Sequence, residues 1–158
     1  MTTFQLDILL AIDPEAMGTR LGDQIRRSVT EGVDGEALAR AQENFERVAE
    51  AVNFTDLARA AIDESILDNA LSSIDTEFAD QPDVANDLRM AVSAVYVHIG
   101  LFGNALPLTE SAVAYLRGSL GDQDAKTLSA INDLGTLSYY TGDFARAESL
   151  YREAYEGR

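Results

Sequence analysis

Two stretches in the C-terminal half of this chain carry the same pattern of small and aromatic residues at one constant spacing. Five pairs of identical residues lie 42 positions apart: Gly100 and Gly142, Phe102 and Phe144, Ala105 and Ala147, Leu108 and Leu150, and Ala112 and Ala154. An internal repeat must place equivalent residues at a fixed offset, so these matches predict two copies of one helical unit. In such a unit the glycine ends the first helix, the aromatic residue wedges between the helices, and the alanines allow close approach. The alternative is an ordinary helical hairpin with a coincidental pattern.

The remainder of the chain also favours helices over strands. The whole chain contains 3 prolines, strand-like alternation is nearly absent, and apolar residues recur at steps of three and four. We therefore predict an all-α fold, a right-handed helical-repeat stack with a divergent N-terminal helical cap. The predicted helices cover residues 3–12, 14–30, 35–52, 55–62, 65–78, 83–99, 102–118, 124–141 and 143–156.

The ends of two of these helices carry recognisable signals. Asp13 is the predicted N-cap of the second helix and Pro14 its first residue, while Thr55 is the predicted cap of the fourth. A length of 158 residues with 46% hydrophobic residues is sufficient for one domain with a sizeable core. Within that continuous domain we predict a divergent helical region at residues 1–82 and two repeats at residues 83–158.

The charge of the chain excludes several classes of partner. The sequence has 27 acidic and 12 basic side chains and a formal net charge of -15, and such a field repels nucleic acid and anionic membranes. The apolar opening FQLDILLAI is interrupted by Asp7 and lacks a basic flank, so neither a signal peptide nor a membrane span is predicted. The absence of cysteine is compatible with a reducing cytoplasm. We expect a cytoplasmic protein that neither binds nucleic acid nor inserts into a membrane.

No group of residues in the sequence predicts catalysis, a cofactor or a metal ion. His98 is the single histidine and has no cysteine, second histidine or serine elbow with which to form a triad or a zinc site. The stretch DQDAKTLSAIND, which begins at Asp122, is similar to a calcium loop, but Thr127 stands where an EF-hand requires glycine and Lys126 where it requires an oxygen ligand. Acidic clusters between residues 63 and 77 are interpreted as solvated helix faces.

The stretch LGTLSYYTGDFARAESLYREA resembles a tetratricopeptide repeat. The residues that carry this resemblance are Leu134, Gly135, Gly142, Phe144, Ala147, Tyr151 and Ala154. The first copy, VSAVYVHIGLFGNALPLTESA, matches less well: it departs at Ser93, a position usually taken by Gly or Ala, and at Thr109, usually an aromatic residue. The linking stretch LRGSLGDQDAKTLSAINDLG resembles the longer-period form of the repeat found in kinesin light chains and in many bacterial regulatory proteins.

A second resemblance extends towards the N-terminus. The stretches ILLAIDPEAMGTRLGDQIRRS and LDNALSSIDTEFADQPDVANDLRMAVSAVYVHIGLFGNAL resemble the segment that follows the catalytic domain in bacterial serine/threonine kinases with C-terminal tetratricopeptide repeats. None of the kinase catalytic motifs is present. The resemblance implies a non-catalytic interaction scaffold, the regulatory or sensor part of a bacterial signalling protein, although a standalone protein is equally allowed. The alternative localisation is the extracytoplasmic part of a membrane-anchored kinase, and the alternative functions are structural self-association and an unrecognised enzyme.

The resemblance also implies a groove lined by the first helix of each pair. The residues that it directs inward are Asp87, Met90, Ala94, Val97, His98, Ser129, Asn132, Thr136, Tyr139 and Tyr140. Met90 and Val97 are more often core residues, and Tyr139 is equally compatible with core or groove. None of the ten side chains is basic, which argues against capture of an acidic tail. We expect a protein or peptide partner of neutral or basic character, contacted by Asn132 and the tyrosines.

The last helix is predicted to mediate self-association. In a helical-repeat stack each second helix is covered by the next repeat, and the helix that ends in SLYREAYEGR has no successor in this sequence. The predicted apolar strip consists of Tyr151, Ala154 and Tyr155, with Leu150 partly packed inward. We expect a homodimer through this strip, unless further repeats cover it.

Overall fold

The described part of this computed structural model comprises residues 12–157, and within it every regular element is helical. The helices are α1 (Pro14–Thr30), α2 (Gly35–Ala51), α3 (Phe54–Ile62), α4 (Asp68–Glu77), α5 (Pro82–His98), α6 (Phe102–Leu120), α7 (Ala125–Tyr140) and α8 (Phe144–Glu156), with a π-helical turn at Asp63–Leu67. The all-α prediction is confirmed. The helix predicted for residues 3–12 lies outside the described residues, apart from Ile12.

The predicted start of α1 is confirmed, whereas the predicted start of α3 is wrong. Asp13 accepts hydrogen bonds at its Oδ1 atom from the backbone N–H groups of Glu15 and Ala16, both at 3.0 Å, which satisfies two donors that a helix N-terminus otherwise leaves free. At α3 the cap is Asn53, which accepts from the N–H of Thr55 at 3.0 Å. Asn53 replaces the predicted cap because its side-chain oxygen reaches the first-turn N–H groups, so that Thr55 itself lies inside the helix.

Residues 12–68 form one compact unit, in which α1 packs closely on α3. The contact depends on two glycines of α1: a Cβ atom at Gly18 would stand 2.7 Å from the backbone nitrogen of Thr55, and one at Gly22 would stand 3.2 Å from the Phe54 ring. Phe54 also stacks on Phe45 of α2, with ring centroids 6.3 Å apart. A side chain larger than hydrogen at Gly18 is therefore incompatible with the observed separation of the two helices.

Residues 69–157 form the second compact unit, which contains the two predicted repeats. Helices α5 and α6 pack as one antiparallel pair, α7 and α8 as the other, and α6 packs on α7. A core is formed by Val113, Leu116, Leu128, Ala130, Ile131, Leu134 and Ala154, with Leu106, Tyr115 and Leu150 against it. The boundary between the two compact units lies between residues 68 and 69. The predicted boundary at residue 82 separates the divergent helical region from the two repeats, and it stays a prediction.

The turn inside each repeat has the same geometry in both copies. Gly100 and Gly142 have φ angles of 80° and 88°, a region that glycine adopts without steric cost. In the first copy the N–H of Leu101 donates to the carbonyl of Tyr96 at 2.8 Å, and in the second the N–H of Asp143 donates to the carbonyl of Ser138 at 2.8 Å. Leu101 and Asp143 lie 42 positions apart, and so do Tyr96 and Ser138. The two turns are therefore equivalent, and the predicted helix-ending role of the glycines is confirmed.

Candidate partner-binding groove

An open pocket lies between α5 and α7 in residues 69–157. Its volume is about 260 Å³, and it is lined by Met90, Ser93, Ala94 and Val97 of α5, Thr109 of α6, and Asp133, Thr136 and Leu137 of α7. Both α5 and α7 are the first helices of their pairs. The pocket thus lies on the face where the sequence predicted a groove.

The pocket exists because the first repeat lacks an aromatic residue that the second has. In the second copy the Tyr151 ring covers Gly135, where a Cβ atom would be only 3.0 Å from the ring, and the Tyr151 hydroxyl donates to Thr136 Oγ1 at 3.1 Å. At the equivalent positions, 42 residues earlier, the first copy has Ser93 and Thr109. The shorter Thr109 side chain leaves open the space that the ring occupies in the second copy.

Ser93 and Thr109 compensate for each other's departure from the repeat pattern. Both side chains are buried, their hydroxyl oxygens lie 2.8 Å apart, and each hydroxyl also lies 3.2 Å from the carbonyl oxygen of Ala105, to which it can donate. A hydroxyl pair therefore holds α5 and α6 together where the second copy uses a glycine and an aromatic ring. Both buried hydroxyls therefore have the hydrogen-bond partners that burial requires.

Asp133 supplies the charge at the pocket. Asp133 is an exposed residue, yet the protein atoms around its carboxyl group exclude enough water to raise the pKa of that group, and a hydrogen bond from the Asn132 side chain opposes this shift. In residues 12–157 no cationic side chain forms an ion pair with Asp133, whereas Glu110 and Glu153 of α6 and α8 pair with Arg146 and Arg117. An unpaired carboxylate thus stands beside an apolar pocket.

The predicted groove residues do not all come together. Thr136 lines the pocket, and Asn132 is half-buried beside Asp133. Ser129, His98 and Asp87 are exposed and lie outside the pocket lining. The pocket also uses Met90, Ala94 and Val97, which the repeat pattern directed inward.

Asp87 is instead close to the hairpin contact between α5 and α6. Tyr115 donates its hydroxyl to Asp83 Oδ1 at 2.6 Å; this bond is the main cause of a raised pKa for the Tyr115 phenol, and the charge of Asp87 adds to the shift. Asp87 therefore lies near the contact between Tyr115 and Asp83, and it does not line the pocket.

Tyr139 and Tyr140 belong to an exposed aromatic cluster at the end of α7. Tyr140 stacks face to face on Phe102, with ring centroids 4.5 Å apart, and Tyr139 meets Phe144 edge to face at 5.3 Å. Phe144 is 63% exposed, so the predicted wedging of this aromatic residue between helices is wrong for the second copy. The first residues of α6 and α8 instead supply rings that pack on the two tyrosines.

The four residues predicted to form a self-association strip point in different directions. Ala154 is 2% exposed and belongs to the core, because α8 turns this face towards α7. Leu150 packs partly against the same core, as predicted, and Tyr151 covers Gly135 but stays 37% exposed, so it is the buried Ala154 that interrupts the predicted strip. Only Tyr155 presents a large surface, with 81% of it exposed. Self-association itself stays a prediction.

Residues 12–157 contain no group of three or more His, Asp or Glu side chains placed to hold a metal ion. No helix among them has both the length and the apolar character needed to cross a membrane.

Sequence reasoning missed Asp133 and the importance of Thr109. The available signal was the departure of Thr109 from the aromatic residue of the repeat, because a small residue at a position that normally fills space indicates a cavity. Asp133 could have been found from helical spacing, since it lies three residues before Thr136 on the same side of α7.

Comparison with known protein families agrees with the geometry of the two helical pairs. The family model described as a tetratricopeptide repeat matches residues 77–158, which is just over half of the chain and includes both copies of the 42-residue unit. Neither a curated protein nor a solved structure matches the chain. With the motif residues, the repeated turn geometry and this match in agreement, the chain belongs to the tetratricopeptide-repeat family.

Proposed function

We propose that the chain is a non-catalytic scaffold that binds a segment of a partner protein along the groove between α5 and α7. Tetratricopeptide repeats generally mediate interactions between proteins. The observation that carries the proposal is the open pocket of about 260 Å³ on the face formed by the first helices of both repeats. Pockets with apolar walls and a few polar groups are the usual form of a binding site.

The proposed groove extends along α7 beyond the pocket. Thr136 and Tyr140 are four residues apart and lie on one face of the helix, and Asn132 and Ser129 continue that face in the other direction. From Ser129 to Tyr140 the helix rises roughly 17 Å. This length is sufficient for about five residues of an extended peptide. The stacked ring of Tyr140 offers a flat apolar surface at one end of the path.

The charge of the protein supports a neutral or basic partner. The formal net charge is -15, and Asp133 is the one charged residue that lines the pocket. A basic segment would be attracted during diffusion and an acidic one repelled.

The biological setting that we propose is the regulatory or sensor part of a bacterial signalling protein. Its support is the resemblance of residues 8–28 and 67–106 to the region beside repeats in bacterial serine/threonine kinases, together with the longer period of the repeats. The coding sequence that flanks this chain tests the proposal: a kinase domain upstream in the same reading frame would support it, and an unrelated catalytic domain there would contradict it.

A selection from a random peptide library displayed on phage tests the binding function. Peptides that bind the immobilised wild-type protein should bind at least about tenfold more weakly to Ala94→Tyr, which places a ring in the pocket mouth, and to the Asn132→Ala, Tyr140→Ala double variant. Glu156→Gln, a change at an exposed residue of α8, should leave affinity unchanged. The proposal would be contradicted if no peptide could be selected. It would also be contradicted if the selected peptides bound both groove variants with the same affinity as the wild type.

A further inference from the structure

We propose that the pocket beside Thr109 takes up a lysine or arginine side chain of the partner, with its alkyl stem against Met90 and Val97 and its cation at Asp133. This inference rests on the proposed function and names the residue that the groove selects. It follows from three features of the pocket: the hydrogen-bonding state of its polar groups, its size and its charge.

The hydroxyl groups of the pocket are already engaged within the protein. Ser93 and Thr109 bond to each other and to the Ala105 carbonyl. Thr136 donates to the Asn132 carbonyl at 3.1 Å and accepts from Tyr151 at 3.1 Å. A carboxylate has about four acceptor positions, and Asp133 has a hydrogen bond from the Asn132 side chain but no ion pair in residues 12–157. The lining therefore offers an incoming group one strong acceptor, the Asp133 carboxylate.

The size of the pocket suits one side chain. Its volume of about 260 Å³ lies below the range of about 300 to 1,000 Å³ typical of sites for drug-sized ligands. Lysine and arginine bury their alkyl stems along apolar surface while the charged head stays at the edge. Met90, Val97 and Leu137 supply that apolar surface.

The charge of Asp133 disfavours both apolar and acidic side chains in the pocket. A purely apolar side chain would bury the Asp133 carboxylate further without giving it a partner, which is costly. An acidic side chain would be repelled both by Asp133 and by the net charge of -15. Compared with apolar and acidic side chains, a basic side chain both pairs with the carboxylate and fills the apolar volume.

Titration of the isotope-labelled protein with small probes, followed by NMR, tests this inference directly. The probes are the N-acetyl, N'-methylamide derivatives of lysine, arginine, norleucine and glutamate, of which norleucine has a comparable stem without the cation. We expect the lysine or the arginine probe to shift the amide signals of Ala94 and Thr136 and to bind about fivefold or more tightly than norleucine. The glutamate probe should cause no saturable shift.

Four variants separate the pocket from the general charge of the protein. Asp133→Asn should abolish the preference for the cationic probe, whereas Glu156→Gln, which removes one exposed charge from α8, should retain it. The Ser93→Gly, Thr109→Tyr double variant copies the Gly135 and Tyr151 pair of the second repeat and should block all the probes. If that variant does not fold, Ala94→Leu narrows the same opening without altering the buried hydroxyl pair.

Equal binding of the lysine, arginine and norleucine probes, or a cation preference that survives in Asp133→Asn, would overturn the inference. The proposed function can fail separately from it. Library peptides that bind the groove without an essential basic residue would leave the function intact and overturn only the basic-residue pocket. A cation-selective pocket in a protein that selects no peptide would overturn only the peptide-binding function.

Discussion

At the scale of the residue, the buried hydroxyl pair of Ser93 and Thr109 is the feature whose energetics can be measured most directly. A hydrogen bond of this kind contributes about 1 kcal/mol to the free energy of unfolding. We expect Ser93→Ala and Thr109→Val each to destabilise the protein by about 1 kcal/mol. We also expect the double variant to lose less than the sum, because each single change leaves one buried hydroxyl with fewer partners.

Urea denaturation of the four proteins in this cycle measures the coupling. Thr127→Val is a matched control, because Thr127 is fully buried and its hydroxyl has no protein partner within residues 12–157. Removing that hydroxyl should preserve or raise stability, since no hydrogen bond is lost. Strict additivity of the Ser93 and Thr109 changes would show that the pair does not act as a unit.

Asp133 gives a residue-scale prediction that depends on pH. Partial burial raises the pKa of its carboxyl group, so the folded protein binds the proton more tightly than the unfolded chain does. The contribution of this proton to stability is fully present below the unfolded pKa, about 3.9, and is lost as pH rises through the higher folded pKa. Relative to the wild type, Asp133→Asn should therefore have a higher melting temperature at neutral pH and no such advantage in strong acid.

Thermal unfolding across pH, with Glu156→Gln as the reference for loss of one negative charge, measures this effect. The gain in Asp133→Asn should exceed that in Glu156→Gln at pH 7. A gain that is equal in the two variants would show that net charge, and not burial beside the pocket, determines the result.

At the scale of the element, the contact of α1 with α3 depends on the absence of a side chain at Gly18. An added Cβ atom would stand 2.7 Å from the backbone nitrogen of Thr55, and backbone atoms cannot yield as a flexible side chain can. We expect Gly18→Ala to destabilise the unit of residues 12–68 by about 1 to 3 kcal/mol through overpacking.

A glycine elsewhere in the chain provides the control for helix propensity. Gly118 lies inside α6 with nothing within 4 Å of its added Cβ, so Gly118→Ala should stabilise by about 0.5 to 1 kcal/mol. Chemical denaturation of both variants measures the two effects. Equal stabilisation by the two substitutions would refute the close approach of α1 and α3.

At the scale of the whole molecule, we propose that self-association, if it uses α8, depends on Tyr155. One aromatic side chain contributes roughly 1.5 to 3 kcal/mol when fully buried, and Leu150 and Ala154 face the core. We therefore expect a weak homodimer with a Kd on the order of 100 µM. A continuous apolar strip along α8 would give a tighter dimer. Light scattering over a concentration series should show association of the wild type and its loss in Tyr155→Glu.

The control for this experiment is Tyr151→Phe, which removes the hydroxyl bonded to Thr136 but keeps the ring over Gly135. It should associate as the wild type does. A wild type that stays monomeric at 1 mM, or a dimer that Tyr155→Glu leaves intact, would contradict the proposal.

The sequence by itself determined the features that depend on neighbours along the chain. The position of α1 follows from Asp13 and Pro14, and the turns follow from Gly100 and Gly142, because capping bonds and a positive φ angle involve only a few adjacent residues. The 42-residue offset predicted two copies of one helical unit for the same reason: a repeat is a pattern within one chain.

Only the tertiary structure decided which faces of the helices meet and what lies between them. Ala154 and Tyr155 are adjacent in sequence, yet one is buried and the other 81% exposed. Likewise, Thr109 departs visibly from the repeat pattern, but the bond to Ser93 and the pocket beside Asp133 depend on how α5, α6 and α7 are placed in space. Burial and cavity formation arise from contacts between residues distant along the chain, and the spacing within any one helix does not specify those contacts.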